Sequence, residues 1–225
     1  MKTNFLRFAS IAAMATGVLS ILYAIFYLFI SKSPADTGRL ISWLILGLSG
    51  ILTSAAYVGL FQRTRGTNEG LALWGLVLGI GQSVFTLTNA VQQALLINGV
   101  QNGTIPQAAF DAARLLPQSG DPSGVWAFLM FAISSVVFGR LILQTPTLPR
   151  PLGYIAWFNA VLLTLLFIGN ITGTPLLIYA AGGLTSVIVT PLWWIWAGRA
   201  IAKESASEMG TQPMHPAMNM QGASK

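Results

Sequence analysis

Gly75, Gly79, Gln82, Thr86, Asn89 and Gln93 follow one another at intervals of four, three, four, three and four residues. On an α-helix this alternation puts all six on one face, as in a coiled-coil seam. The surrounding stretch is apolar, so that face is expected inside a membrane. There, glycines let helices approach closely and amides hydrogen-bond across to a neighbour. The face has two readings: a packing seam with buried amide bonds, or one wall of a polar cavity. Asn159, Thr185, Ser186 and Thr190, on later apolar stretches, are candidates for the other walls. A continuous polar cavity at these amides would point to a carrier or channel for a small neutral or amphipathic molecule. A tightly packed core there would point to a non-enzymatic scaffold, sensor or partner-binding subunit, the reading that the sequence alone favours.

Little else in the chain offers chemistry. No serine has a histidine or lysine placed as its base, and no carboxylate pair lies at depth. The GxSxG, HExxH and G-x-x-x-x-G-K-[ST] patterns are absent, so catalysis by those routes is not expected, nor is a cofactor. The chain has no cysteine, which excludes disulfides, thiol redox chemistry and iron–sulfur ligation. Its single histidine, His215, lies near the C-terminus, so no helix can supply the paired histidines of an intramembrane haem. His215 is accompanied by Met214, Met218 and Met220. Thioethers and imidazole suit Cu(I), but this loose spacing without cysteine reads more simply as an ordinary flexible tail.

The elements that must position these residues follow from composition. Of 225 residues, 54% are hydrophobic and only 8% are charged. A soluble domain carries about 25% charged residues, whereas a bundle facing lipid needs few. The expected fold is all-α: a polytopic transmembrane bundle in residues 1–200, followed by a disordered cytoplasmic tail in 201–225. Six apolar stretches, near 8–30, 40–61, 71–97, 125–143, 152–171 and 176–198, approach or exceed the ~20 residues a spanning helix needs. The first is longer than the hydrophobic core of a typical signal peptide and reads as an uncleaved span. No Asp, Glu, Lys or Arg lies well inside any stretch. That argues against proton pumps, ion-coupled transporters and intramembrane acid–base enzymes, which keep ionisable groups at depth.

Six spans put both termini on one side. Lys2, Arg7, Arg63, Arg65, Arg140, Arg150, Arg199, Lys203 and Lys225 fall on that side, and Lys32, Arg39 and Arg114 on the other. The bias predicts cytoplasmic termini. No charge run suggests nucleic-acid binding; the expected partners are the lipid bilayer and, for a scaffold, a second copy or another membrane protein. Tryptophans near span ends, including Trp74, Trp126, Trp157 and the Trp193-Trp194-Ile195-Trp196 cluster, read as interface anchors. Between spans three and four, Ile105, Ala108, Ala109, Ala112, Leu115 and Leu116 recur at helical spacing. They predict a short amphipathic helix over 104–116, capped by Thr104 and lying on the outer surface. Pro191 is expected to kink span six. Gly70-Leu-Ala-Leu-Trp74 resembles Gly153-Tyr-Ile-Ala-Trp157 at an offset of 83, as tandem hairpins of equal orientation would.

Several phrases carry a wider likeness: Phe8-Ala-Ser-Ile, Gly17-Val-Leu-Ser-Ile-Leu-Tyr-Ala, Gln62-Arg63, Glu69-Gly-Leu-Ala-Leu-Trp74, Leu148-Pro-Arg-Pro-Leu-Gly-Tyr154 and Trp193-Trp-Ile-Trp196. Through them the chain resembles a group of uncharacterised six-span bacterial membrane proteins and is similar to the domain-of-unknown-function family numbered 4386. The resemblance covers most of the six spans and not the tail. It implies a bacterial inner membrane, and no activity or catalytic residues.

Overall fold

Caps, prolines and glycines set the helix ends. In the computed structural model the backbone is described for residues 2–115 and 124–210, and side chains for 4–112 and 124–203. Helix α1 (Lys2–Ile25) continues through a π-helical turn, Phe26–Ile30. Helix α2 (Thr37–Thr64) starts where the Asp36 carboxylate accepts the Arg39 N–H at 2.7 Å. Helix α3 (Glu69–Gln101) starts where the Asn68 side chain accepts the Leu71 N–H at 3.0 Å. Both are side-chain N-caps. Helices α5 (Val125–Gln144), α6 (Arg150–Thr172) and α7 (Pro175–Leu184) follow the short α4 (Gln107–Leu115). A π-turn over Thr185–Val189 joins α7 to α8 (Thr190–Gly210).

Among the described residues there is no strand, and six helices are long and apolar enough to cross a membrane. They are an all-α bundle of six spans, as expected. Each span overruns or meets its expected limits. With 33 residues, α3 is about 50 Å long against ~30 Å of hydrocarbon, so it tilts or protrudes. The last helix also runs on, and residues 201–210 of the expected tail are helical. Ile201 is still in the core, and Ala202-Lys203-Glu204 and Ala206 are good helix formers.

The spans pack in chain order, α1 on α2, α2 on α3, α3 on α5 and α5 on α6, and α8 returns to α1. The seam that closes this ring is tight. Ser10 Oγ donates to the Gly198 carbonyl at 2.8 Å, and a Cβ on Gly198 would fall 2.7 Å from the Ser10 carbonyl. The chain ends therefore share one side of the bundle, here the terminal side. The opposite side carries the connections at 31–36, 102–106 and 173–174 and is called the loop side.

The tandem likeness holds only in part. Trp74 and Trp157 are both about half exposed, as anchors would be. Gly153 packs closely on Gly139 and Leu143, whereas Gly70 meets only Asn68. The tryptophans match without the packing that a true repeat would share.

Helix α4 forms inside the expected 104–116 segment, but Thr104 does not cap it. Its hydroxyl bonds the Asn102 Oδ1 at 2.7 Å and the Gly99 carbonyl at 3.2 Å. The Pro106 carbonyl instead receives the first helical N–H groups, from Ala109 and Phe110. The anchor is Phe110, which is buried and absent from the apolar face predicted by spacing. Asp111 accepts from Gln107 Nε2 at 3.1 Å; the side chain of its expected partner, Arg114, lies outside the described residues.

A second correction concerns Trp193 and Trp194. Both are fully buried in the core, not anchored at a membrane interface. Span six begins at Pro175 and continues to Lys203, so these rings lie well inside it. They pack with Tyr57, Phe131 and Phe138 in one aromatic cluster, with ring centroids 4.4 to 6.4 Å apart. That cluster fills the terminal half of the bundle. Trp126 remains half exposed, as predicted for an anchor.

Candidate functional site

The polar face of α3 divides at its middle. Gly75 and Gly79 lie in the packed half: a Cβ on Gly79 would fall 2.5 Å from the Tyr57 ring, and one on Gly75 2.8 Å from Val137. One turn further, the same face opens. Gln82, Thr86 and Asn89 line a cavity of about 480 Å³ in the loop half of the bundle. Pockets for small ligands span roughly 300–1,000 Å³. Both readings of the seam therefore apply, each at its own depth.

Of the other expected walls, Thr185, Ser186 and Thr190 line the cavity and Asn159 does not. Asn159 is fully buried behind the wall, where its Oδ1 accepts the Thr190 hydroxyl at 3.1 Å. Gln93, one turn beyond Asn89 on the same face, also stays out of the lining. Met214, His215, Met218 and Met220 lie outside the described residues.

Helix α1 supplies a wall that the first reading missed: Thr16, Ser20, Tyr23 and Tyr27. Their intervals of four, three and four repeat the pattern of α3. Hydroxyls scattered in an apolar run carry less weight than amides, and Tyr23 and Tyr27, in the outer half of the first span, read from sequence as interface anchors. Ser20 donates back to the Thr16 carbonyl at 3.0 Å, and Thr53 of α2 donates to the Ser49 carbonyl at 2.7 Å. Such back-bonds leave the hydroxyl oxygens free to accept.

Phe131 and Trp194 border the cavity on the terminal side and belong to the aromatic cluster beneath. They form its floor. Toward the loop side, Tyr23, Tyr27 and Trp43 pack ring against ring at 5.3 to 6.3 Å. The Arg39 guanidinium sits 3.6 Å above the Tyr27 ring, and its Nε donates to Ser31 Oγ at 3.2 Å. The nearby cation is thus engaged at the rim, outside the cavity lining. Desolvation pushes the Asp36 carboxyl, in the same connection, up. Hydrogen bonds from the Arg39, Ser33 and Lys32 backbone and from the Ser31 side chain together outweigh it and lower its pKa to about 2.

Three buried polar atoms without a protein partner belong to the cavity lining, while Tyr57 Oη, Ser135 Oγ, Asn159 Nδ2 and Trp193 Nε1 lie outside it. Gln82 Nε2 donates to Thr86 Oγ1 at 2.9 Å, while Gln82 Oε1, Asn89 Oδ1 and Thr185 Oγ1 have no protein partner. All three side chains are more than nine-tenths buried. A buried acceptor without a partner costs about 1–3 kcal/mol. The three atoms belong to residues lining one cavity but are nearly inaccessible where they stand, so a ligand bearing neutral donors meets them after a small rotation of these side chains. No Asp, Glu, Lys, Arg or His is among the described lining residues, and among the described residues no three potential metal-ligating side chains come together.

No protein-family model matches the chain, and no curated protein or solved structure is similar to it. The resemblance noted in the sequence therefore brings no residue roles to this site.

Proposed function

We propose that the protein binds a small uncharged amphiphile within the membrane and acts as a carrier or receptor for it, not as an enzyme. The observation that carries this reading is the cavity reaching Gln82 and Asn89, with their amide oxygens unpartnered. A scaffold needs only the packed half of the bundle and leaves this cavity unexplained. The floor of Phe131 and Trp194 makes the cavity blind, which favours a binding pocket over an open channel. Lining hydroxyls without an adjacent base favour binding over catalysis. Following the distribution of basic residues, we propose that both termini are cytoplasmic; the resemblance noted in the sequence implies a bacterial inner membrane. The cavity then lies in the outer leaflet half.

The test uses purified protein in lipid nanodiscs with two probes, glycerol monodecanoate and methyl decanoate. They share a chain, and only the first has hydroxyl donors. Saturable binding of the glycerol ester is expected, at least ~10-fold tighter than the methyl ester, since two hydrogen bonds contribute about 1–3 kcal/mol. Equal partitioning of both probes, with no saturation, overturns the reading.

A further inference from the structure

We propose that the ligand reaches the cavity sideways from the bilayer, through a fissure between α1 and α7, so that its class is a membrane-dissolved amphiphile with an uncharged hydroxyl- or amide-bearing head. This deepens the binding function proposed above and rests on it.

The seam between the first and last spans has two different halves. On the terminal side α8 lies directly on α1, where a Cβ on Gly17 would fall 2.8 Å from the Pro191 carbonyl. Beyond the π-turn the partner changes. Helix α7 packs on α6, with Gly169 against Leu177 and Ile178 and Gly182 near Leu166. Gly183, on the cavity wall, has open space where a Cβ would point.

Two large side chains mark the opening. Leu28 and Tyr179 line the cavity and are 46% and 75% exposed. Lining residues this exposed place the mouth of the cavity beside them. Phe29 and Leu176 beside them are 77% and 76% exposed. Such a rim is apolar, which suits lipid chains and not a hydrated solute.

The change of partner has a local cause. Pro191 has no N–H and its ring crowds the carbonyl one turn back. The helix accommodates it with the π-turn at Thr185–Val189, where the Thr190 N–H reaches the Thr185 carbonyl. One inserted residue redirects the helix, carrying α7 away from α1 and onto α6. A second π-turn, Phe26–Ile30, ends α1 on the other lip. Gln82, Asn89 and Thr185 lie deeper than the lips. A head group hydrogen-bonded there leaves its chain lying out along the fissure, so the cavity volume limits the head and not the tail.

The chain has no native cysteine, so Leu28→Cys with Tyr179→Cys gives one addressable pair across the fissure. Both positions are exposed. The double variant is reconstituted in liposomes and treated with a bis-methanethiosulfonate cross-linker. The probe is glycerol monodecanoate carrying a diazirine on the chain carbon nearest the ester head, added to the lipid either before or after cross-linking. Labelled peptides are read by mass spectrometry. Probe added first is expected to label the cavity walls fully, and probe added after closure at least ~10-fold less. Equal labelling in both orders overturns the fissure as the route while leaving the binding site standing. Absence of saturable cavity labelling in the protein that is not cross-linked overturns the binding function, and this inference with it.

Discussion

The two halves of this bundle solve the same packing problem in opposite ways. On the terminal side, glycines bring helices together and five aromatic rings fill what remains. On the loop side, the same helices carry amides and hydroxyls at the positions facing inward, and the interior stays open. Lipid gives no hydrophobic drive for helix association, so close packing must hold a membrane bundle together. The closed half supplies that packing. The open half is then at liberty to leave its amides and hydroxyls around a cavity. Stability and ligand binding are thereby assigned to different depths of the same six helices.

The strongest way to break this division is to empty the closed half. Trp194→Ala removes the floor ring, which contacts Tyr57 at a centroid distance of 5.2 Å and Trp193 at 4.4 Å. Truncating a buried aromatic costs about 3–5 kcal/mol. A large fall in the melting temperature of the purified protein in detergent is expected. A melting temperature unchanged by this substitution would show that the aromatic cluster does not hold the bundle.

The reverse substitution belongs to the open half. Gln82→Leu with Asn89→Leu removes two unpartnered acceptors together with the Gln82–Thr86 bond, so stability is expected to change little. Binding of glycerol monodecanoate should weaken by roughly 10- to 100-fold, the worth of two hydrogen bonds. Native binding titration beside thermal unfolding reads both quantities. Unchanged affinity in the double variant sinks the assignment of these amides to the ligand.

How much of this was readable beforehand depends on what each signal measures. The spans follow from length and hydropathy, and the structure has all six. The α3 face was visible because amides stand out in an apolar run, but periodicity reports which face a residue takes and not what lies opposite. Gly79 and Gln82 share a face, yet one meets the Tyr57 ring and the other meets open space. Asn159 fell behind the wall for the same reason, held by Thr190 on a neighbouring helix. The paired tryptophans misled because the end of span six was placed too early, and depth within a span depends on where that span ends. The fissure had no local signature except Pro191, whose effect depends on how the neighbouring turns accommodate it.

The smallest expected effect sharpens the comparison at the rim of the open half. There the connection between α1 and α2 is held by short polar bonds. The Asp36 carboxylate accepts N–H groups from Lys32, Ser33 at 2.9 Å and Arg39 at 2.7 Å. Because its pKa is lowered in the folded state to about 2, its contribution is present above the unfolded value of about 3.9. It is lost as pH falls from there through about 2. Asp36→Ala should cost about 1 kcal/mol, the usual worth of an N-cap, and Asp36→Asn much less, since its side-chain oxygen still accepts. Melting temperatures of the two variants, measured between pH 2 and pH 7, check this. The difference between wild type and Asp36→Ala should narrow below about pH 4. A difference that stays constant to pH 2 would mean that the alanine acts through some cause other than the lost carboxylate bonds. If it narrows, the rim and the floor are distinguished by mechanism as well as by position: a titratable cap of modest worth at one end, and aromatic packing indifferent to pH at the other.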